Sequence, residues 1–157
     1  MFAKVSDDTK ALWPAILEKA VSKVHGSYDS IESGTAQYST HLLTGAHETQ
    51  HAHQSKTAQS IFEIILANWD TDSMISAISP DGDNQEKNEY GLAYGHMYTV
   101  FSAHEVGGQK LIRVRNPWGA ETYKGPWSDG HSNWDRMIPS EEKTFREYFT
   151  DMGLYME

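Results

Sequence analysis

The sequence predicts a single α+β domain, on three observations. Apolar residues recur at helical spacing in two separate stretches, residues 9–24 and 57–69. Two runs rich in β-branched and aromatic residues, 95–103 and 110–116, flank a glycine-containing turn, which is the pattern of an antiparallel hairpin. Neither an internal repeat nor a linker-like stretch divides the chain, and its 157 residues suit one hydrophobic core.

The first helix places Leu12, Trp13, Ile16, Leu17, Ala20, Val21 and Val24 on one stripe. Pro14 fits its first turn, where the missing N–H has no helical partner to lose, and Gly26 supplies a stop. Residues 27–56 are rich in Ser, Thr, Gly and His and show little periodicity, so they read as loops with a short helix near 28–33. Ile61, Ile64, Ile65 and Trp69 mark the second helix. Residues 74–79 read as a short buried strand, which Pro80-Asp81-Gly82-Asp83-Asn84 ends in a surface loop running to Glu89. After the hairpin, residues 118–134 are aromatic and loop-like. Ser140 caps a last helix to about residue 150, with Glu141 and Glu142 favourable in its first turn.

Composition removes several classes of function. A net charge of -9 repels a phosphate backbone, so nucleic acid is not an expected partner. No stretch approaches the roughly 20 apolar residues of a membrane helix, and the first ten residues lack a signal-peptide core. The chain has no cysteine; with no disulfide to form, a cytoplasmic or other intracellular setting is the default. No organic cofactor is expected.

The candidate chemistry lies at the open end of the hairpin. In Gly95-His96-Met97-Tyr98-Thr99-Val100 a histidine enters the first strand; in Leu111-Ile112-Arg113-Val114-Arg115-Asn116-Pro117-Trp118-Gly119 an asparagine leaves the second. A thiol is a weak nucleophile until a histidine takes its proton. An asparagine carbonyl can hold that imidazole in one orientation and tautomer, and Trp118 is placed to cover the bond between them. Whether the two share a face depends on register. A three-residue loop, Val106-Gly107-Gly108, sets Asn116 opposite Tyr98 and on the face of His96. A two-residue Gly107-Gly108 turn slips the pairing by one and puts them on opposite faces, unless a bulge restores it. Spacing alone also accommodates an ordinary strand histidine and an asparagine that opens a turn before Pro117.

A rival motif is His47-Glu48-Thr49-Gln50-His51, which spells H-E-x-x-H. On a helix it would aim both histidines at one zinc ion, with Glu48 as general base and His41 or His53 as a third ligand. Gly45, Ala46, Thr49, Gln50 and Gln54 provide no apolar face for such a helix, so an exposed polar loop is the expectation and a zinc metallopeptidase the weaker alternative. Trp118, Trp127 and Trp134 read as packing rather than as a ligand platform.

The strings GLAYGHMYTV, LIRVRNPWG and GPWSDGHSNW together resemble the catalytic domain of calpains, calcium-dependent cysteine proteases of papain-like fold. Earlier and later pieces agree. LWPAILEKAVSKVHGSYDSIESG resembles the helix that precedes the second protease subdomain, and LTGA at 43–46 is similar to the family's LTGG. FEIILANW occupies the place of the following helix, and YFTDMGLY resembles the C-terminal edge of the subdomain. The resemblance covers most of residues 9–155. It implies the second, β-rich half of a papain-like fold: an antiparallel twisted sheet with packing helices. In that layout residues 1–157 form a partial catalytic domain, in which the helix at 9–24 leads into a subdomain at about 27–157.

Carried over residue by residue, the resemblance makes His96 the catalytic histidine, Asn116 its orienting asparagine and Trp118 the neighbouring tryptophan. The family's nucleophilic cysteine and the glutamine of its oxyanion hole belong to an N-terminal subdomain upstream of the Leu12–Val24 stretch, which is absent here. The chain is therefore expected to be inactive alone, with a polypeptide substrate or that N-terminal subdomain as its partner. A non-catalytic calpain-like module that binds peptides or partners is the alternative. For calcium, Asp129 matches one acidic ligand; the second acid falls at Thr122, with Glu121 one residue early, and the acidic loop that usually follows is nearly absent. Calcium needs six to eight oxygens.

Overall fold

A computed structural model describes residues 10–120, 122–128 and 130–136, together with the backbone of 154–155. The chain forms two compact units, Met1–Thr49 and Gln50–Glu157. The expected helix at 140–150 lies outside the described residues. No helix among the described residues is long and apolar enough to cross a membrane.

The first unit is helical. Helix α1, Trp13–Val24, begins one residue before Pro14. A proline ring clashes with the carbonyl four residues back, which explains a start later than the apolar stripe suggests. Leu12, Trp13 and Ile16 of that stripe are exposed. A 3-10 turn, Asp29–Ile31, stands where a short helix is expected. Helix α2, Ala36–Thr44, corrects the reading of 27–56 as loops. Its ends carry the signals that periodicity missed. Thr35 accepts a hydrogen bond from the Tyr38 N–H at 3.2 Å, and left-handed Gly45 donates its N–H to the His41 carbonyl at 2.8 Å.

In the second unit, Thr57 caps helix α3, Ala58–Asn68, by accepting from the Ser60 N–H at 3.2 Å. Four antiparallel strands follow: β1 Ile75–Ile78, β2 Met97–Val106, β3 Gln109–Arg115 and β4 Leu154–Tyr155, in the order β1-β2-β3-β4. Strand β1 is shorter and less buried than expected. It lies at the sheet edge and alternates half-buried with exposed residues, leaving Ile78 65% exposed. The core gathers Tyr98, Val100, Val114 and Tyr123 against Ile65 of α3, Ile75 and Ala77 of β1, Leu92 and Ile112. In the loop beyond β3, Trp127 is buried and meets Trp134 edge to face at 4.9 Å, which is packing rather than a platform.

The β2–β3 hairpin departs from the three-residue loop. Val106 pairs with Gln109, so only Gly107 and Gly108 form the turn. Both have positive φ, 58° and 75°, as a two-residue turn matched to strand twist requires and as glycine permits. That pairing continues to Ser102 and Arg113. An extra residue, Phe101, then bulges out of β2, and Val100 pairs with Val114 and Thr99 with Arg115. The bulge restores the register in which Asn116 continues the ladder opposite Tyr98.

Entry into β2 is equally constrained. Gly95 has φ 52°, its N–H donates to the Pro80 carbonyl at 2.7 Å, and a Cβ there would lie 2.6 Å from the Gly82 carbonyl oxygen. Gly95→Ala should therefore lower stability by about 1 kcal/mol or more, read as a lower urea midpoint with an unchanged slope. An unchanged midpoint would show that the segment relaxes freely.

One histidine ties stability to pH. His104 on β2 packs against Trp69 with ring centroids 5.1 Å apart. Burial first, and then the Arg113 guanidinium, hold its imidazole below the ordinary value of 6.5. The folded state thus binds this proton less readily than the unfolded state. The full contribution is present above about pH 6.5 and is lost as pH falls from there toward the lowered folded value. Urea unfolding across that window should show stability falling with acidity, and His104→Gln should flatten the slope.

Candidate active site

His96 precedes β2 by one residue and Asn116 follows β3 by one, so the restored register decides whether they meet. They do. His96 Nε2 lies 2.9 Å from Asn116 Oδ1, and each residue is only 7% exposed.

The hydrogen bonds around Asn116 fix which way its amide points. The Trp118 main-chain N–H donates to Oδ1 at 3.0 Å, while Nδ2 donates to the Ala120 carbonyl at 3.4 Å. An oxygen held this way can only accept, so the ring nitrogen facing it must carry the hydrogen. His96 is thereby set as the Nε2–H tautomer, and Nδ1, which bonds to no described residue, keeps its lone pair. The tight turn at Asn116-Pro117-Trp118-Gly119, closed by the Gly119 N–H on the Asn116 carbonyl at 3.0 Å, brings the tryptophan back over the pair.

Aromatic rings enclose the imidazole. The Trp118 ring centroid is 4.2 Å from that of His96, and the Tyr98 ring stands nearly perpendicular to the imidazole at 4.9 Å. Tyr98 is itself anchored, its hydroxyl accepting from the Ala93 N–H at 3.1 Å. Trp118 keeps 38% of its surface exposed, so it forms a cover with one side open to solvent. A hydrogen bond under such a cover is stronger than the same bond in water.

The main chain of His96 is held as well. Its N–H donates to Ser79 Oγ at 2.9 Å, and its carbonyl accepts from the Ser79 N–H at 2.9 Å and from the Ser79 hydroxyl at 3.1 Å. Sequence reading missed Ser79 and Tyr98. Tyr98 follows from strand alternation with His96; Ser79 would have needed the β1–β2 register, which no local pattern supplies.

Glu121 and Asp129 lie outside the described residues. Thr122, where the family's second acid is expected, offers no carboxylate, and its hydroxyl donates to the Gly91 carbonyl at 2.9 Å. No group of three metal-ligating side chains converges among the described residues. The H-E-x-x-H segment is irregular throughout 45–52, so the helical turn that would stack His47 on His51 does not form. The zinc metallopeptidase alternative is not supported.

Comparison with known proteins identifies the family. The family model described as "Calpain family cysteine protease" matches residues 1–157. The chain is 35% identical over 139 residues to the calpain-type cysteine protease ADL1 of Oryza sativa subsp. japonica, a match covering 84% of this chain and 6% of that protein. It is 34% identical over 151 residues to the calpain-1 catalytic subunit of Mus musculus, covering 92% of this chain and 21% of the subunit. Calpain-9 of Rattus norvegicus is 35% identical over 156 residues, with 94% and 22% covered. The chain thus spans no more than about a fifth of the length of these relatives. It belongs to the calpain family of cysteine proteases, as a protease-domain segment that contains no cysteine.

Proposed function

We propose that the chain is the histidine- and asparagine-bearing part of a calpain-type cysteine endopeptidase, with His96 as general base and acid and Asn116 as its orienter. The observation that carries this reading is the buried Nε2–H bond to an asparagine oxygen whose direction two further hydrogen bonds determine. That arrangement leaves Nδ1 as the basic atom.

The thiol must come from polypeptide outside these 157 residues, since none of them is cysteine. In a complete site, the S–H proton moves to His96 Nδ1, giving a thiolate–imidazolium pair whose Nε2–H stays on Asn116. The thiolate then adds to the carbonyl carbon of a peptide bond. As the C–N bond breaks, Nδ1 returns its proton to the leaving amine. Water, deprotonated by Nδ1, releases the acyl group and regenerates the thiol. Asn116 and Trp118 act throughout by keeping the ring in one tautomer, shielded from water. The family implies polypeptide substrates. We assign residues of about 27–157 to the second protease subdomain, and the cysteine-free composition suits an intracellular setting. The family is calcium-regulated.

Hydrolysis of a peptide substrate should be undetectable for the chain alone and unaffected by thiol reagents. Thiol-sensitive hydrolysis by the purified chain would contradict this outright. Combined with a cysteine-bearing N-terminal half from the same genome, the chain should acquire activity. His96→Ala should then lower kcat on the order of 10²- to 10⁴-fold, the usual worth of a positioned acid–base group. Asn116→Ala should lower kcat by about tenfold or more with KM little changed, because it releases the ring without touching substrate. Stable association with no activity would instead favour a non-catalytic partner-binding module.

A further inference from the structure

We propose that Ser79 is a positioning residue for His96: its single hydroxyl grips both main-chain polar groups of the histidine and so aims the imidazole at Asn116. The proposal rests on the reading of His96 as the base.

The β1–β2 ladder shows why a side chain is needed there. Its last pair is Ile78 with Met97, so the next would be Ser79 with His96. Half of that pair forms normally, the Ser79 N–H donating to the His96 carbonyl at 2.9 Å. The return bond is rerouted. At Pro80 the chain turns away, and the Pro80 carbonyl takes the N–H of Gly95 at 2.7 Å. The His96 N–H is accepted instead by Ser79 Oγ at 2.9 Å, and the proton of that hydroxyl is donated to the His96 carbonyl at 3.1 Å. One hydroxyl therefore replaces a lost ladder bond and doubles the surviving one.

This matters for the ring because of what precedes it. Gly95, at φ 52°, is a permissive residue directly before His96, which itself lies one residue beyond the last β1–β2 pair at Met97. Side-chain direction follows backbone φ and ψ, so a turn about Gly95 would swing the imidazole away from Asn116 Oδ1. The Trp118 N–H would remain to satisfy that oxygen, so nothing at Asn116 would pull the ring back. The hydroxyl of Ser79 blocks that motion from an adjacent strand. A threonine would keep the function; an alanine would not.

The test is long-range ¹H–¹⁵N NMR of the histidine rings in the intact chain at about pH 8, above the ordinary imidazole range. It compares wild type with Ser79→Ala, Ser79→Thr and, as a control for β1 itself, Ser76→Ala. Wild type, Ser79→Thr and Ser76→Ala should show His96 with its proton on Nε2. Ser79→Ala should show a mixture of tautomers and exchange of the Nε2 proton with water on the order of tenfold faster, as expected for loss of one buried hydrogen bond. The Thr99–Arg115 pairing should persist in all four. Wild-type tautomer and exchange in Ser79→Ala would overturn the proposal, as would loss of the whole hairpin pattern, which would make the hydroxyl structural. A wild-type proton on Nδ1 would contradict the reading of His96 as base, a separable failure.

Discussion

The site depends on how the chain accommodates one extra residue in β2. A two-residue Gly107-Gly108 turn, extended without interruption, would set Asn116 opposite Thr99 and send its side chain to the face away from His96. Phe101 bulges out of the ladder between Val100 and Ser102 and returns Asn116 to the position opposite Tyr98. The 2.9 Å bond, the tautomer it imposes and the tryptophan cover all follow from that one irregularity. Bulges of this kind sit beside active sites because they re-aim side chains where a regular ladder cannot.

Much of the fold was legible locally. The helix at 58–68 is legible because Ile61, Ile64 and Ile65 repeat at helical spacing behind a Thr57 cap. The hairpin is legible because its two strand-like runs flank adjacent glycines. Helix α2 was harder, since its nine residues carry little periodicity; Thr35 and Gly45, which bound it, were the readable signal. Strand β1 was overestimated in burial because an apolar run of four to six residues looks alike in the centre and at the edge of a sheet.

The candidate site was legible in its members and not in its geometry. His96, Asn116 and Trp118 stand out by residue type, and the flanking strings point to the calpain family. The bulge left no local mark, since Phe101 is a normal strand residue by propensity. Ser79 was invisible for a related reason: its meaning comes from a partner seventeen residues away, across a ladder that local patterns do not register. The candidate metal ligands show the converse. Asp129 and Glu121 are conspicuous by type and family position but lie outside the described residues, while Thr122, at the position of the second acid, spends its hydroxyl on the Gly91 carbonyl.

The division of chemistry within the family gives this chain a definite place. On the proposed reading it holds a base and the groups that orient it, prepared before any thiol arrives, because the hydrogen bonds that set the tautomer all come from residues 96–120. The most direct measurement is the Nε2–H proton of His96 in a chain from which Arg115 has been deleted, which would set Asn116 opposite Thr99, with the pairing of Val100 to Val114 verified in the same spectra. The account predicts a slowly exchanging Nε2 proton in the wild-type chain and its loss in the deletion, as Asn116 turns to the opposite face. A protected Nε2 proton that survives the deletion would contradict it.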